Sequence, residues 1–188
     1  MPDVVSNALA VVIEGPNRPQ TYISLDAKGR ATGFNGHVDL GTGITTALAQ
    51  IVAEELDLPL SNVEIVLGDT ARTPDQGPTI ASETIQVAAI PLRKAAAQAR
   101  NWLADRGARA LNAPLGQVAL KNGVVHWKDT QRSYADLLLD QKVTLIYDPD
   151  TPTKDPKDYT IVGTKTPRRD LEDKLRGAHL YIQDLHVE

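Results

Sequence analysis

The chain has 188 residues, enough for one well-packed domain with some chain left over, and 41% hydrophobic with 23% charged residues is an ordinary globular composition. A formal charge of −4, from 24 acidic against 20 basic residues, offers no basic footprint for nucleic acid. The absence of cysteine excludes disulfides, thiolate metal sites, Fe–S clusters and cysteine nucleophiles.

No apolar run approaches the roughly 18 residues of a membrane span, and residues 1–7 lack the basic-then-apolar pattern of a signal peptide. A cytoplasmic chain is the expectation. Aromatic residues make up only 4%, with one Phe and two Trp, so the core must rest on Val, Ile, Leu and many Ala. That favours helices packed closely on a sheet.

In chain order, residues 8–12 read as a short strand ended by Gly15-Pro16-Asn17-Arg18-Pro19. A hairpin follows: Thr21-Tyr22-Ile23-Ser24-Leu25 alternates, residues 26–30 turn, and residues 31–38 return, with Gly33 and Gly36 marking a bulge or a close backbone approach. From Gly43 the period becomes helical. Ile44, Ala47, Leu48, Ile51 and Leu56 share one side, Glu54 and Glu55 face solvent, Thr42 serves as N-cap, and Pro59 stops the helix. Residues 63–67 form a strand, and residues 68–78 a loop.

Residues 81–111 are helical in composition, with Ile85, Ala88, Ala89, Leu92, Ala95, Ala96, Ala99 and Leu103 along one stripe. Pro91 either kinks one long helix or starts a second; the unbroken stripe favours the kink. Residues 115–121 and 124–128 flank an Asn122-Gly123 turn, a second hairpin. Residues 133–139 read as a short capped helix and residues 143–147 as a strand. The predicted fold class is α/β (α+β): a mixed sheet with hairpins, two main helices packed on one face, and an extended C-terminal tail. Its expected division is 1–147, a proline- and charge-rich linker at 148–158, and 159–188, which lacks a core of its own and holds a closing Tyr181-Ile182 pair.

Two strand-to-helix loops could carry chemistry. Gly41-Thr42-Gly43 lets backbone approach a ligand, and the first free amides of a helix attract phosphate or a polarised oxygen. Thr79, Ile80, Ala81, Ser82, Glu83 and Thr84 open the next helix with three hydroxyls, suited to a pyrophosphate or a polar heterocycle. Neither completes a dinucleotide fingerprint or a P-loop, and an ordinary cap with a tight turn is the commoner meaning of each. His37, His126, His179 and His186 show no metal spacing, Asp148, Asp150, Asp155 and Asp158 fit a solvated linker better than a calcium loop, and Ser82 has no triad partners.

Residues 36–70 and 73–96 resemble the molybdopterin-binding subunit of the xanthine dehydrogenase/aldehyde oxidase family, in its isoquinoline 1-oxidoreductase and nicotinate dehydrogenase-like branch. Residues 159–185 (YTIVGTKTPRRDLEDKLRGAHLYIQDL) resemble the start of that family's α/β hammerhead domain. The resemblance implies half of a molybdopterin-binding domain, in a family that hydroxylates aldehydes or N-heterocycles with oxygen from water. In bacteria the cofactor is often the cytosine dinucleotide form. By the same resemblance Gly41, Thr42 and Gly43 stand in the family's Gly-Gln-Gly loop, with Thr42 in place of Gln, and Thr79, Ile80, Ala81, Ser82, Glu83 and Thr84 stand in the loop that contacts the pterin and its phosphates. Glu83 puts an acid where many members have a smaller residue.

The family's catalytic Glu lies near the end of a much longer subunit, so no catalytic residue and no metal ligand is expected here. The resemblance thus implies an amino-terminal portion, inactive alone and with cofactor absent or weakly held. Its partners would be the rest of the molybdenum subunit and an Fe–S or other electron-transfer partner, and the isolated chain would self-associate through uncovered apolar surface. The rival reading is a non-catalytic binding or assembly module that retains the fold.

Overall fold

The computed structural model describes residues 9–15, 20–180 and 184–186. The loop expected at 15–19 therefore lies mostly outside the described residues, as does the Tyr181-Ile182 pair.

A five-stranded mixed sheet forms the base. Its strands are β1 (Leu9–Glu14), β2 (Thr21–Asp26), β3 (Ala31–Asn35), β4 (Val63–Leu67) and β8 (Val143–Ile146), in the order β4-β3-β2-β1-β8. β1–β2 and β2–β3 are antiparallel, whereas β3–β4 and β1–β8 are parallel. Strand alternation sends every second side chain to one face. Register then lines up Val63, Ala31, Leu25, Val11 and Val143 in one row, and Ile65, Gly33, Ile23, Ile13 and Leu145 in the next.

Those rows meet α1 (Ile44–Leu56) and α2 (Ala89–Ala110). Gly33 is the close approach expected from sequence. A Cβ there would stand 2.9 Å from Ile65 Cδ1, 3.2 Å from Leu92 Cδ1 and 3.3 Å from Val52 Cγ2. The helices thus settle onto the sheet where a side chain is missing. Ala95, Ala96 and Ala99 are fully buried on α2, and their small volume lets α2 lie close against α1.

The C-terminal half of α2 carries a three-stranded antiparallel sheet: β5 (Ala119–Lys121), β6 (Val124–Trp127) and β7 (Thr130–Ser133). Asn122 and Gly123 both have positive φ, 52° and 76°, as the predicted two-residue hairpin turn requires. β7 escaped the sequence reading because its Thr-Gln-Arg-Ser has no apolar alternation; its side chains are mostly exposed. α3 (Tyr134–Leu138) is the expected short capped helix, and its cap is a capping box between Ser133 and Asp136. The buried Tyr134 hydroxyl donates to the Leu56 carbonyl at 2.8 Å, satisfying an orphan acceptor at the end of α1.

Two expectations need correction. One helical run continues through Pro91, which sits in the first turn of α2. The irregularity lies just before it, as a π-helical turn at Thr84–Ala88, and residues 81 and 82 are not helical at all. The wider π turn shifts the phase of the stripe, so Ile85 is 42% exposed while Leu92, Ala96 and Ala99 keep their buried places.

Glu54 and Glu55 do not face solvent. Each is 1% exposed. Glu55 accepts from Arg93 Nε at 2.6 Å and from the Lys154 N–H. Glu54 accepts from the N–H groups of Thr160, Ile161 and Val162 and from Lys154 Nζ. Residues 148–158 carry their aspartates on the surface, as expected, but Thr151 is 5% exposed and the Lys154 side chain 13%. The segment is therefore docked on α1. Sequence distance hid Lys154 and residues 160–162, which lie about a hundred residues downstream.

Candidate functional site

The site grows from the end of β3, where Asn35, Gly36, His37 and Val38 leave the sheet. Gly36 has no room for a side chain, because a Cβ would collide with the Pro74 carbonyl oxygen. The 74–76 backbone can therefore lie directly on it. Gln76 clasps the crossing, accepting from the Gly36 N–H at 2.8 Å and donating to the Ala88 carbonyl at 2.8 Å. Buried Asn35 also donates to the Ala88 carbonyl, and it accepts from the His37 N–H.

His37 is the residue that sequence reasoning undervalued. It is 1% exposed, with Nε2 3.3 Å from the Gln76 carbonyl and Nδ1 2.8 Å from the Thr84 hydroxyl. A carbonyl only accepts, so Nε2 carries a hydrogen toward Gln76, and Nδ1 pairs with the Thr84 hydroxyl. One residue further on, the Val38 N–H donates to Thr79 Oγ1 at 2.9 Å. Thus two of the three hydroxyls of the second loop bind residues 37 and 38, which lead into the first loop. The two loops singled out from sequence are brought together, with His37 as their hinge pin. A lone histidine gives no sequence signal for such a role.

The amino terminus of α1 differs from expectation. Gly43, at φ 78°, is the N-cap residue, and no side chain at that position caps the helix. Asp39 caps instead, accepting from the N–H groups of Gly41 (2.9 Å), Gly43 (3.2 Å) and Thr45 (3.3 Å) and from the Thr45 hydroxyl. Burial opposes the charged form of Asp39, but the three N–H groups and the hydroxyl together hold its carboxyl below the usual range. The amides expected to receive a phosphate are thus held by the chain's own carboxylate. Thr42 is left exposed and uninvolved in the cap.

The second loop is strained. Ala81 and Ser82 have φ of 50° and 60°, a left-handed conformation that costs a non-glycine residue about 1 kcal/mol. Between the loops opens a surface concavity of about 350 Å³. Thr42, Thr79, Ile80, Ala81, Ser82 and Thr84 line it together with Val38, Leu40, Ile44 and Ile85. Gly41, Gly43 and Glu83 do not line it. At Gly41 (φ 96°) a Cβ would meet no atom within 4 Å, so backbone is open to a ligand there. At Gly43 it would meet Arg168 Nε at 2.7 Å.

Exposed Thr42 and Ser82 hydroxyls face an apolar rim in which Leu40 is 71% and Ile80 57% exposed. Flat apolar contacts edged by hydroxyls and open backbone suit a planar polar heterocycle. An anion suits the second loop better than the α1 terminus, where Asp39 already sits. Among the described residues no group of three or more His, Asp or Glu could hold a metal, and no helix is long and apolar enough to cross a membrane.

Residues 5–168 match the family model described as Molybdopterin cofactor-binding domain. One subunit of the nicotinate dehydrogenase of Pseudomonas putida is 45% identical over 167 residues, which span 88% of this chain and 14% of that protein. The beta subunit of isoquinoline 1-oxidoreductase from Brevundimonas diminuta is 26% identical, over 90% of this chain and 27% of its own length. The crystal structure of quinoline 2-oxidoreductase from Pseudomonas putida 86 superposes with a TM-score of 0.54 at 26% identity, covering 62% of this chain and 15% of that one. The chain spans between about a seventh and about a quarter of these proteins. Matched along 5–168, with the mixed sheet and paired loops in place, this chain belongs to the molybdopterin cofactor-binding domain family of the xanthine dehydrogenase/aldehyde oxidase type.

Proposed function

We propose that the chain forms one wall of a molybdopterin site in a molybdenum hydroxylase acting on aldehydes or N-heterocycles. The observation that carries this reading is the meeting of the two family-matched loops around one concavity, fixed by His37 and Gln76. The names of the relatives, which refer to nicotinate, isoquinoline and quinoline, favour N-heterocycles. When bound, molybdopterin supplies the metal centre at which a substrate carbon is hydroxylated with oxygen from water. Thr42 and Ser82 would give hydroxyl contacts to the cofactor, open backbone at Gly41 would allow its close approach, and Ile80, Ala81 and the Thr79–Thr84 turn would hold its flat face. Gly43 shapes the turn into α1. Glu83 lies off the concavity, which relieves the clash with an anionic cofactor that its position suggested.

The cofactor's phosphates belong on the second loop, since Asp39 repels an anion at α1. The same argument extends to the cytosine dinucleotide form. The base that activates water and the opposite wall of the site would come from the remaining domains, so the isolated chain would hold cofactor weakly and turn nothing over. The rest of the molybdenum subunit and an electron-transfer partner would complete the centre. Residues 159–188 would open the hammerhead-like unit after the 148–158 connection. Without those partners, the exposed Val38, Leu40, Ile80, Ile85, Val87 and Ile90 would drive self-association.

Purification from a molybdopterin-competent host, followed by assay of bound pterin, tests the reading. Substoichiometric pterin that falls further in Gly41→Val is expected. Stoichiometric cofactor with aldehyde turnover would overturn the claim of incompleteness. No pterin binding either alone or with the remaining domains supplied would favour the non-catalytic module.

A further inference from the structure

One face of α1 carries polar side chains at intervals of four: Thr46, Gln50 and Glu54. Such spacing places all three one above another along the helix. All three engage the same downstream segment, in reverse order. Glu54 Oε2 accepts from the N–H groups of Thr160, Ile161 and Val162 at 2.9, 2.6 and 2.9 Å. Gln50 Nε2 donates to the Ile161 carbonyl at 3.1 Å and to the Thr166 hydroxyl oxygen at 3.0 Å. Thr46 Oγ1 accepts from the Arg169 N–H at 3.0 Å. The segment therefore runs antiparallel to α1, from its carboxyl end to its amino end.

At the amino end it delivers Arg168 to the glycine loop. Arg168 Nη2 donates to the Gly41 carbonyl at 3.1 Å, and its Nε lies where a Cβ on Gly43 would be crowded at 2.7 Å. The guanidinium is itself fixed by two bonds to the Asp170 carboxylate, which Lys174 also pairs. Asp39 holds the Gly41 and Gly43 N–H groups from within the turn, whereas a Cβ on Gly41 would meet no atom within 4 Å, so Arg168 restrains the loop from its carbonyl side.

We propose that residues 160–169 act as a strap along α1, anchored by Glu54, and that Arg168 is a positioning residue that fixes the Gly41-Thr42-Gly43 loop in its ligand-receptive shape. The loop's conformation thereby depends on a carboxylate ten residues along the helix, about 15 Å away at 1.5 Å per residue. The bearing on cofactor binding rests on the function proposed above. The strap itself does not, and loop order is measurable with no ligand present.

Backbone ¹⁵N relaxation on the chain, with Gly41 and Gly43 as the reporters, is the test. In the parent both should show the order parameters of rigid backbone, about 0.85, and in Arg168→Ala they should fall below about 0.6. Arg168→Lys, which keeps a donor for the Gly41 carbonyl, should restore part of the loss. Glu54→Gln should loosen Ile161 and Val162 and, through them, Gly41 and Gly43. Combining Glu54→Gln with Arg168→Ala should loosen the loop no further than Arg168→Ala alone. If Glu54→Gln frees the tail while Gly41 and Gly43 stay rigid, or if Arg168→Ala leaves them rigid, the proposal is overturned. Should Glu54→Gln unfold the chain, Thr46→Val and Gln50→Ala replace it, with amides of Leu48, Val52 and Leu92 reporting the intact core. Pterin retention that fails even with the remaining domains supplied, while the loop responds as expected, would sink the cofactor reading and leave the strap standing.

Discussion

Asp39 and Glu54 do the same thing in two different settings. Each carboxylate gathers three backbone N–H groups: Asp39 those of Gly41, Gly43 and Thr45, and Glu54 those of Thr160, Ile161 and Val162. Asp39 acts within six residues of itself and closes a local turn. Glu54 is 1% exposed, acts across more than a hundred residues, and adds a cation, Lys154 Nζ at 3.3 Å. A local cap can be lost with its turn and little else changes. A buried anchor ties two distant parts of the chain, and removing it strands every partner it held.

The largest effect should therefore follow Glu54→Ala. It leaves Lys154 without one of its anions and three N–H groups without an acceptor, a loss on the order of 3–5 kcal/mol for a broken buried pair. Urea unfolding measures it. A loss under about 1 kcal/mol would mean that water or Asp57, 2.7 Å from Lys154 Nζ, takes over the role, and the contrast between the two carboxylates would collapse.

Acid titration separates them next. Burial works against ionised Glu54, but the Val162, Ile161 and Thr160 N–H groups and Lys154 outweigh it and lower its pKa; Asp39 is lowered likewise. A carboxylate depressed in the folded state contributes stability fully above its unfolded value, about 4, and loses it as pH falls toward the folded value. Stability should be level from pH 7 to about 5 and fall below about 4. Glu54→Gln should flatten that acid limb more than Asp39→Asn does, and equal flattening would erase the distinction.

Asp39→Ala should cost about 1 kcal/mol, as loss of a helix cap does, or roughly 2–4 °C in Tm for a chain of this size. Asp39→Asn keeps an acceptor and should retain most of that.

The two carboxylates also mark what a sequence can disclose. The strands other than β7, the Asn122-Gly123 hairpin, the Ser133 cap and the Ala-rich stripe from Ala88 along α2 are written in local pattern, and each stands close to where pattern put it. Glu54 and Glu55 read as solvated because two adjacent acids on a helix are usually exposed. Arg93 from α2 and the return of Lys154 and residues 160–162 make burial tolerable, and no local pattern encodes those partners. The candidate site divides in the same way. Glycine and hydroxyl content drew attention to both loops, yet His37, Gln76 and Asp39, which hold the loops in shape, carry no motif.

The smallest effect has the most to say about the second loop. Ser82 holds φ at 60°, where glycine is about 1 kcal/mol more comfortable. Ser82→Gly relieves that strain but gives the unfolded chain more freedom, worth about 0.5 kcal/mol in the opposite direction. The net should be a gain of about 0.5 kcal/mol, a Tm raised by roughly 1–2 °C. Strain retained against that gain points to a use for the side chain or for the rigidity of the turn. Pterin retained per chain, measured beside Tm, decides which. Lower retention in a more stable Ser82→Gly chain assigns the strain to ligand binding, and unchanged retention assigns it to the packing of Ile80 and Thr84. Ser82→Asn, which tolerates the same φ while keeping a polar side chain, should hold both quantities near their parent values if the hydroxyl contributes only polarity.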